Sequence, residues 1–143
     1  VEFRFSGTGR NAGDDSTCAS GGEMSRIMMA LKAQRAKYAD MPTMVFDEID
    51  TGVSGSVADK MGRMICEMGR YMQVFAITHL PQVAAKGSAH YLVTKDIDPS
   101  ASKAVTTINK LSHEERVLEV ARMLSGSVLT DAAVANARSL LEY

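Results

Sequence analysis

Two short apolar runs constrain the fold more than any other feature of the sequence. The first covers residues 43–46 and ends in two acids, and the second covers residues 73–78 and ends at a histidine. Continuous runs of this length are typical of parallel strands buried on both faces. Helical spacing of apolar residues over 56–70 separates them. This order of strand, helix and strand predicts an α/β fold with parallel strands in the middle of a sheet.

Further elements are predicted on both sides of this unit. Strands are predicted at residues 1–6, 90–94 and 104–110, and helices at residues 20–38, 81–87, 112–125 and 130–143. The helix at 20–38 is expected to bury a stripe formed by Met24, Ile27, Met28 and Leu31. Ser112 and Glu115 have the spacing of a capping box. Residues 7–19, rich in Gly, Ser, Asn and Asp, are predicted to form a mobile loop.

Bulk composition argues against several classes of protein. The formal net charge is −1, so no broad positive field attracts nucleic acid or anionic lipid. Cys18 and Cys66 form no Cys-x-x-Cys pair, which argues against a structural zinc site, and such sparse cysteine usage is typical of a reducing cytoplasm. We expect no membrane span, because no apolar run reaches the roughly 20 residues required. We also expect no signal peptide.

The first candidate site is the sequence ASGGEMSR at the start of the predicted helix 20–38. Ser20, Gly21 and Gly22 stand where free backbone N–H groups and the helix dipole favour an anion, and glycines allow it close to the backbone. A capping box, with Ser20 as the cap and Glu23 reaching back to it, explains the same residues. The two interpretations are compatible, and both stay open.

The second and third candidate sites follow the two apolar runs. In open α/β sheets, ligands bind at the carboxyl ends of the strands. Asp47 can hold Mg²⁺ there directly or through water, and Glu48 can orient or deprotonate an attacking water. His79 can hydrogen-bond a phosphate oxygen or a positioned water. The alternatives are a pair of solvated acids that open a turn and a histidine that caps the next turn.

A phosphate-binding P-loop is not present in these 143 residues. That loop requires the pattern G-x-x-x-x-G-K-[ST], and no Lys in the chain is followed by Ser or Thr. The glycine pair in Gly7-Thr8-Gly9 is only a weak candidate for a phosphate loop. We therefore expect the isolated chain to lack the loop that makes most of the contacts with the phosphates of a nucleoside triphosphate.

Taken in order, the three segments resemble the motifs of ABC-type ATPases. ASGGEMSR resembles the signature motif, MVFDEID resembles Walker B followed by its catalytic glutamate, and ITH resembles the switch-histidine loop. The strings FDEIDTGVSG, ITHLPQVAAKG and ERVLEVARMLSG are similar to the RecN family. That family resembles the SMC proteins, in which a long coiled coil splits an ABC head in sequence. The chain is identified as the half of the head that follows the coiled coil.

The resemblance implies one segment, 1–143, with part of a P-loop NTPase sheet: parallel central strands flanked by helices, without the P-loop segment. It implies ATP and Mg²⁺ as cofactors, with Asp47 supporting Mg²⁺ and with Glu48 and His79 as catalytic residues. Nucleotide-binding residues would come from the opposing subunit: Ser20, Gly21, Gly22 and Glu23. It also implies a homodimer with ATP between the heads, DNA as a partner in double-strand break repair, and a cytoplasmic, nucleoid-associated location without membrane contact.

Two other functions compete with this interpretation. One is the head of another SMC-like or transporter-type ATPase, but Ser54 stands where transporter D-loops carry Asp, which argues against a transporter. The other is a non-hydrolytic module that kept the fold and only dimerises. The presence of Asp47, Glu48 and His79 argues against that loss of activity.

Overall fold

The computed structural model divides the chain into two units, Val1–His79 and Leu80–Tyr143. It describes residues 4–5, 13–14, 21–38, 40–47, 50, 52–53, 55–98, 103–126 and 128–142. The first unit contains a parallel strand pair and the second an antiparallel one. Within the described ranges, none of the helices combines the length and the apolarity that crossing a bilayer requires.

The first unit begins with two very short strands that pair antiparallel. Strand β1, Arg4–Phe5, falls within the strand predicted at 1–6, and it pairs with β2, Gly13–Asp14. The segment 7–19 was expected to be a loop, so β2 is an element that the sequence did not predict. The remaining residues of that segment lie outside the described part of the chain.

Two parallel strands and the helix between them form the framework of the first unit. Strand β3, Thr43–Phe46, pairs in parallel with β4, Gln73–Ala76, over their full lengths. A helix connects the two strands and packs against β4; it spans Gly55–Met68 and is α2 in chain order. Its apolar face buries Ala58, Met61, Gly62 and Met68. The predicted order of parallel strand, helix and parallel strand is confirmed.

The prediction that both strands are buried on both faces is wrong. Side chains alternate between the faces of a strand, and Phe46 is 2% exposed whereas its neighbour Val45 is 60% exposed. Phe75, the register partner of Val45, is 47% exposed. Helix α2 packs against β4, and Met44 and Phe46 are buried on the same face of β3.

Helix α1, Gly21–Tyr38, forms where a helix was expected but buries different residues. Met29 and Ala36, which are seven positions apart on one face, are buried. Met28 and Leu31 of the predicted stripe are exposed. All five residues from 27 to 31 are apolar, so apolar side chains lie on every side of the helix. Their spacing therefore does not indicate which face is buried.

The second unit begins with a short helix and an antiparallel hairpin. The helix α3, Pro81–Ala84, starts with proline, which suits the first turn because it needs no N–H donor there. Strands β5, Tyr91–Asp98, and β6, Lys103–Lys110, then pair antiparallel. The hydroxyls of Thr94 and Thr107 lie opposite each other and are 2.6 Å apart, which adds a cross-strand hydrogen bond.

Helix α4, His113–Ser125, has the capping box that the sequence predicted. The backbone N–H of Glu115 donates to Oγ of Ser112 at 3.3 Å, and the N–H of Ser112 donates to Oε2 of Glu115 at 2.7 Å. The hydrogen bond from the Ser112 backbone to the carboxylate and, secondarily, a hydrogen bond with the Ser112 side chain lower the pKa of Glu115. The helix ends at Gly126, whose φ of 73° favours glycine.

Helices α4 and α5 (Asp131–Leu141) form the apolar core of the second unit. Alanines occupy much of the contact, and their small size allows the two helices to approach closely. The core contains Val117, Val120, Ala121, Ala133 and Ala137. Around it pack Leu124, Val134, Leu140 and Leu141. Val134, Ala137 and Leu141 therefore lie on the face of α5 that contacts this core.

Arg116 of α4 binds the segment that follows α3. Its Nη2 donates to the carbonyl oxygen of Gly87 at 2.6 Å and to that of Ala85 at 3.5 Å. His90 lies close to this guanidinium group. Burial and, secondarily, the positive charge of Arg116 lower the pKa of His90, while Glu119 opposes them. Folding of the second unit therefore favours the neutral form of His90.

We expect the second unit to lose stability on acidification below pH 6.5, the ordinary pKa of histidine. The folded-state pKa of His90 lies below its unfolded value, so the unfolded chain binds more protons and stability rises with pH through this range. Urea denaturation from about pH 8 to about pH 5 measures this dependence. His90→Gln should reduce the slope, and an unchanged slope in that variant would contradict the assignment to His90.

Candidate functional site

The carboxyl ends of β3 and β4 lie side by side and form the candidate site. The backbone N–H of Ile77 donates to the carbonyl oxygen of Phe46 at 2.8 Å, which continues the parallel ladder one step beyond β4. Asp47 follows β3 directly, and Thr78 and His79 follow β4. We call the group Asp47, Asp50, Thr78 and His79 the β3–β4 edge.

Asp47 has an exposed carboxylate at the first position after β3. Carboxylate oxygens are the protein ligands that Mg²⁺ prefers, and Mg²⁺ commonly takes one or two of them together with water and substrate phosphates. Within the described ranges, no group of three or more His, Cys, Asp or Glu side chains is arranged to hold a metal. Glu48 lies outside the described residues.

Asp50 is a buried carboxylate at this edge, and its contacts run to the segment after β4. It is 2% exposed. Its Oδ2 accepts hydrogen bonds from the hydroxyl of Thr78 and, at 3.0 Å, from the backbone N–H of His79. Its Oδ1 lies 3.3 Å from Nδ1 of the His79 ring. The carboxylate thus joins the loop after β3 to the loop after β4.

The backbone around Asp50 is held by a tight turn. The N–H of Val53 donates to the carbonyl oxygen of Asp50 at 3.0 Å. Gly52 lies at the third position of this turn with a φ of 70°, a conformation that favours glycine. Val53 is buried, which anchors the end of the turn. The backbone and the side chain of Asp50 are therefore both fixed.

His79 combines an anchored backbone with an accessible ring. Its side chain is 72% exposed, although Asp50 contacts both its N–H and its Nδ1. The Nε2 atom lies on the opposite side of the imidazole from Nδ1. The ring can therefore interact with a ligand at the β3–β4 edge while one nitrogen contacts Asp50.

The glycines of the first candidate segment begin helix α1. Gly21 and Gly22 are its first two residues, and Glu23 is the acid of its first turn. The first N–H groups of a helix have no partner within that helix, so this terminus can accept an anion. Ser20 lies outside the described residues. Binding of a nucleotide by these four residues stays a prediction.

The structure thus brings Asp47 and His79 to one edge, as the sequence predicted for their strands. It adds Asp50, which the sequence reasoning had not assigned to the site. The one feature of the sequence that could have indicated Asp50 is its position as the third acid in FDEID, shortly after the first apolar run. Sequence alone gave no reason to separate this acid from solvated turn residues, because its burial depends on contact with residues 78–79.

Comparison with known proteins gives no matching family model but many similar sequences. "DNA repair protein RecN" of Bacillus subtilis is 39% identical over 143 residues, 99% of this chain and 24% of that protein. The RecN proteins of Vibrio cholerae and Mycobacterium tuberculosis H37Rv are 42% and 46% identical over 86% and 87% of this chain. The chain belongs to the RecN family. It spans under a quarter of the length of these RecN relatives.

Solved structures show which fold this RecN segment has. One comes from work on the "structural biochemistry of ATP-driven dimerization and DNA stimulated activation of SMC ATPases"; the TM-score is 0.62 at 18% identity, over 84% of this chain and 70% of that one. The SMC head domain from Thermotoga maritima gives a TM-score of 0.54 at 25% identity, over 73% of this chain and 37% of that one. The predicted fold class, part of an ATPase head with parallel strands, is confirmed.

Proposed function

We propose that this segment supplies the signature motif, the Walker B acids and the switch histidine of a RecN ATPase head, as the part that follows the coiled coil. The observation that carries the proposal is the β3–β4 edge, where Asp47 and the exposed ring of His79 leave adjacent parallel strands. Ligands bind at this end of the strands in open α/β sheets. The complete protein would use this edge to hydrolyse ATP during DNA double-strand break repair in the cytoplasm.

The chemistry of hydrolysis matches the side chains of this edge. Phosphoryl transfer to water depends on positioning and on neutralising charge more than on covalent chemistry. Bound Mg-ATP supplies the phosphoryl group and part of that neutralisation. Asp47 would hold Mg²⁺, Glu48 would orient the attacking water and accept its proton, and His79 would contact the water or the terminal phosphate. The exposure of Asp47 and of His79 leaves both side chains accessible for these roles.

The start of α1 would complete the site from a second copy of the protein. Ser20, Gly21 and Gly22 offer N–H donors at a helix N-terminus, which suits a phosphate. Glu23 would hold the first turn of that helix in place. ATP would then lie between two heads, so that binding closes the homodimer and hydrolysis opens it. The related SMC structure, described in terms of ATP-driven dimerization and DNA stimulation, supports this arrangement.

We expect the isolated 143-residue chain neither to hydrolyse Mg-ATP nor to bind it tightly. The P-loop lysine and backbone make most contacts with the phosphates in this class of ATPase, and the chain has no such sequence. Isothermal titration with Mg-ATP tests the binding, and the full-length protein is the positive control. A dissociation constant of about 1 μM or below, which corresponds to about −8 kcal/mol, would contradict the proposal for the isolated chain.

A further inference from the structure

The side chain of Asp50 is buried where an acid is costly unless hydrogen bonds compensate. Its described partners all belong to the segment that carries His79: the Thr78 hydroxyl, the His79 N–H and the His79 ring. Both carboxylate oxygens are used, Oδ2 for Thr78 and the backbone and Oδ1 for the ring. A buried acid directed at an exposed histidine in this way has a geometry suited to orienting it.

We infer that Asp50 is a positioning residue that fixes the His79 loop and binds Nδ1 of the ring, so that Nε2 faces the nucleotide. This inference rests on the proposed function for the role of His79. Asp50 itself is buried, so little of its side chain is accessible to a substrate. It acts through two contacts, one with the backbone N–H at 3.0 Å and one with Nδ1 at 3.3 Å.

Contact with Asp50 also determines which of the two ring nitrogens carries the proton when His79 is neutral. An ionised carboxylate only accepts hydrogen bonds, and a neutral imidazole has one N–H and one acceptor nitrogen. A distance of 3.3 Å between Nδ1 and Oδ1 of an ionised Asp50 favours the tautomer with the proton on Nδ1, which leaves the lone pair on Nε2. A neutral His79 then accepts a hydrogen bond from a water molecule at Nε2. Between the water and the phosphate as partners of His79, this geometry favours the water.

A double-mutant cycle in the full-length protein tests whether Asp50 acts through His79. The variants are Asp50→Asn, His79→Ala and the two combined, with kcat and KM of ATP hydrolysis as the readout. Loss of a group that orients a functional side chain typically costs about 10- to 100-fold. We expect Asp50→Asn to lower kcat by about tenfold with little change in KM, and to have no further effect once His79 is alanine.

Two controls separate positioning from a general loss of structure. Asp59→Asn makes the same chemical change on helix α2, where the carboxylate pairs with Arg63 at 2.8 Å, and it should leave kcat unchanged. Thr78→Val removes the hydroxyl that donates to Asp50 and should lower kcat, because it loosens the carboxylate that holds His79. An Asp50→Asn effect of equal size with and without His79, or no effect at all, would overturn the inference.

Nitrogen-15 spectra of histidine-labelled protein provide a test that does not depend on ATP hydrolysis. At a pH where the imidazoles are neutral, the His79 proton should lie on Nδ1 in the wild type and lose that preference in Asp50→Asn. A proton on Nε2 in the wild type would overturn the inference. If His79→Ala leaves kcat unchanged while the Nδ1 proton is found, the catalytic role proposed for His79 fails and the contact with Asp50 stands.

Discussion

Glu48→Gln in the full-length protein is expected to lower the rate of ATP hydrolysis by about 100-fold or more, as removal of a general base does. The amide keeps the size of the side chain but cannot accept a proton from the attacking water. ATP binding should persist, because the change leaves Asp47 and the P-loop intact. ATP should therefore hold the two heads together, and light scattering should detect a dimer that remains as long as ATP is present.

Two matched variants make this result specific to Glu48. Glu67→Gln introduces the same amide at an exposed position of α2 and should hydrolyse ATP at the normal rate. Asp47→Asn should weaken Mg-dependent binding as well as hydrolysis, because it removes the proposed metal ligand. Normal hydrolysis by Glu48→Gln would exclude Glu48 as the group that activates water. A dimer that forms equally well without ATP would contradict the proposed role of the nucleotide.

The features predicted correctly from sequence are those decided by residues close together in the chain. The capping box of α4 depends on Ser112 and Glu115, three positions apart, and it forms as predicted. The parallel pairing of β3 and β4 follows from two apolar runs separated by one helix, since such a connection places the strands side by side. That pairing in turn brings Asp47 and His79 to the same edge.

The features that sequence could not predict depend on contacts between distant segments. Asp50 and His79 are 29 positions apart, and nothing in the sequence around either residue indicates that the Asp50 carboxylate is buried against the loop that carries His79. The buried face of α1 was missed for a related reason, because apolar residues surround that helix and only its packing partners select Met29. Local pattern therefore located the elements and their ends, whereas packing determined which side chains are buried.

Phe46→Ala is expected to destabilise the Val1–His79 unit by about 3–5 kcal/mol, the usual cost of removing a buried phenylalanine ring. Phe46 is 2% exposed and is the last residue of β3, so the cavity would form directly beneath the β3–β4 edge. A loss of this size is a large fraction of the total stability of a typical domain, which is roughly 5–15 kcal/mol. Urea denaturation measures the loss, and hydrogen exchange locates it by residue.

The neighbouring position supplies the control for this destabilisation. Val45 belongs to the same strand but is 60% exposed on the opposite face, so Val45→Ala should cost no more than about 1 kcal/mol. Phe46→Leu, which keeps more of the buried volume, should fall between the two. Equal costs for Val45→Ala and Phe46→Ala would mean that both faces of β3 are covered in solution. Faster exchange confined to residues 80–143 after Phe46→Ala would contradict the packing of Phe46 within the first unit.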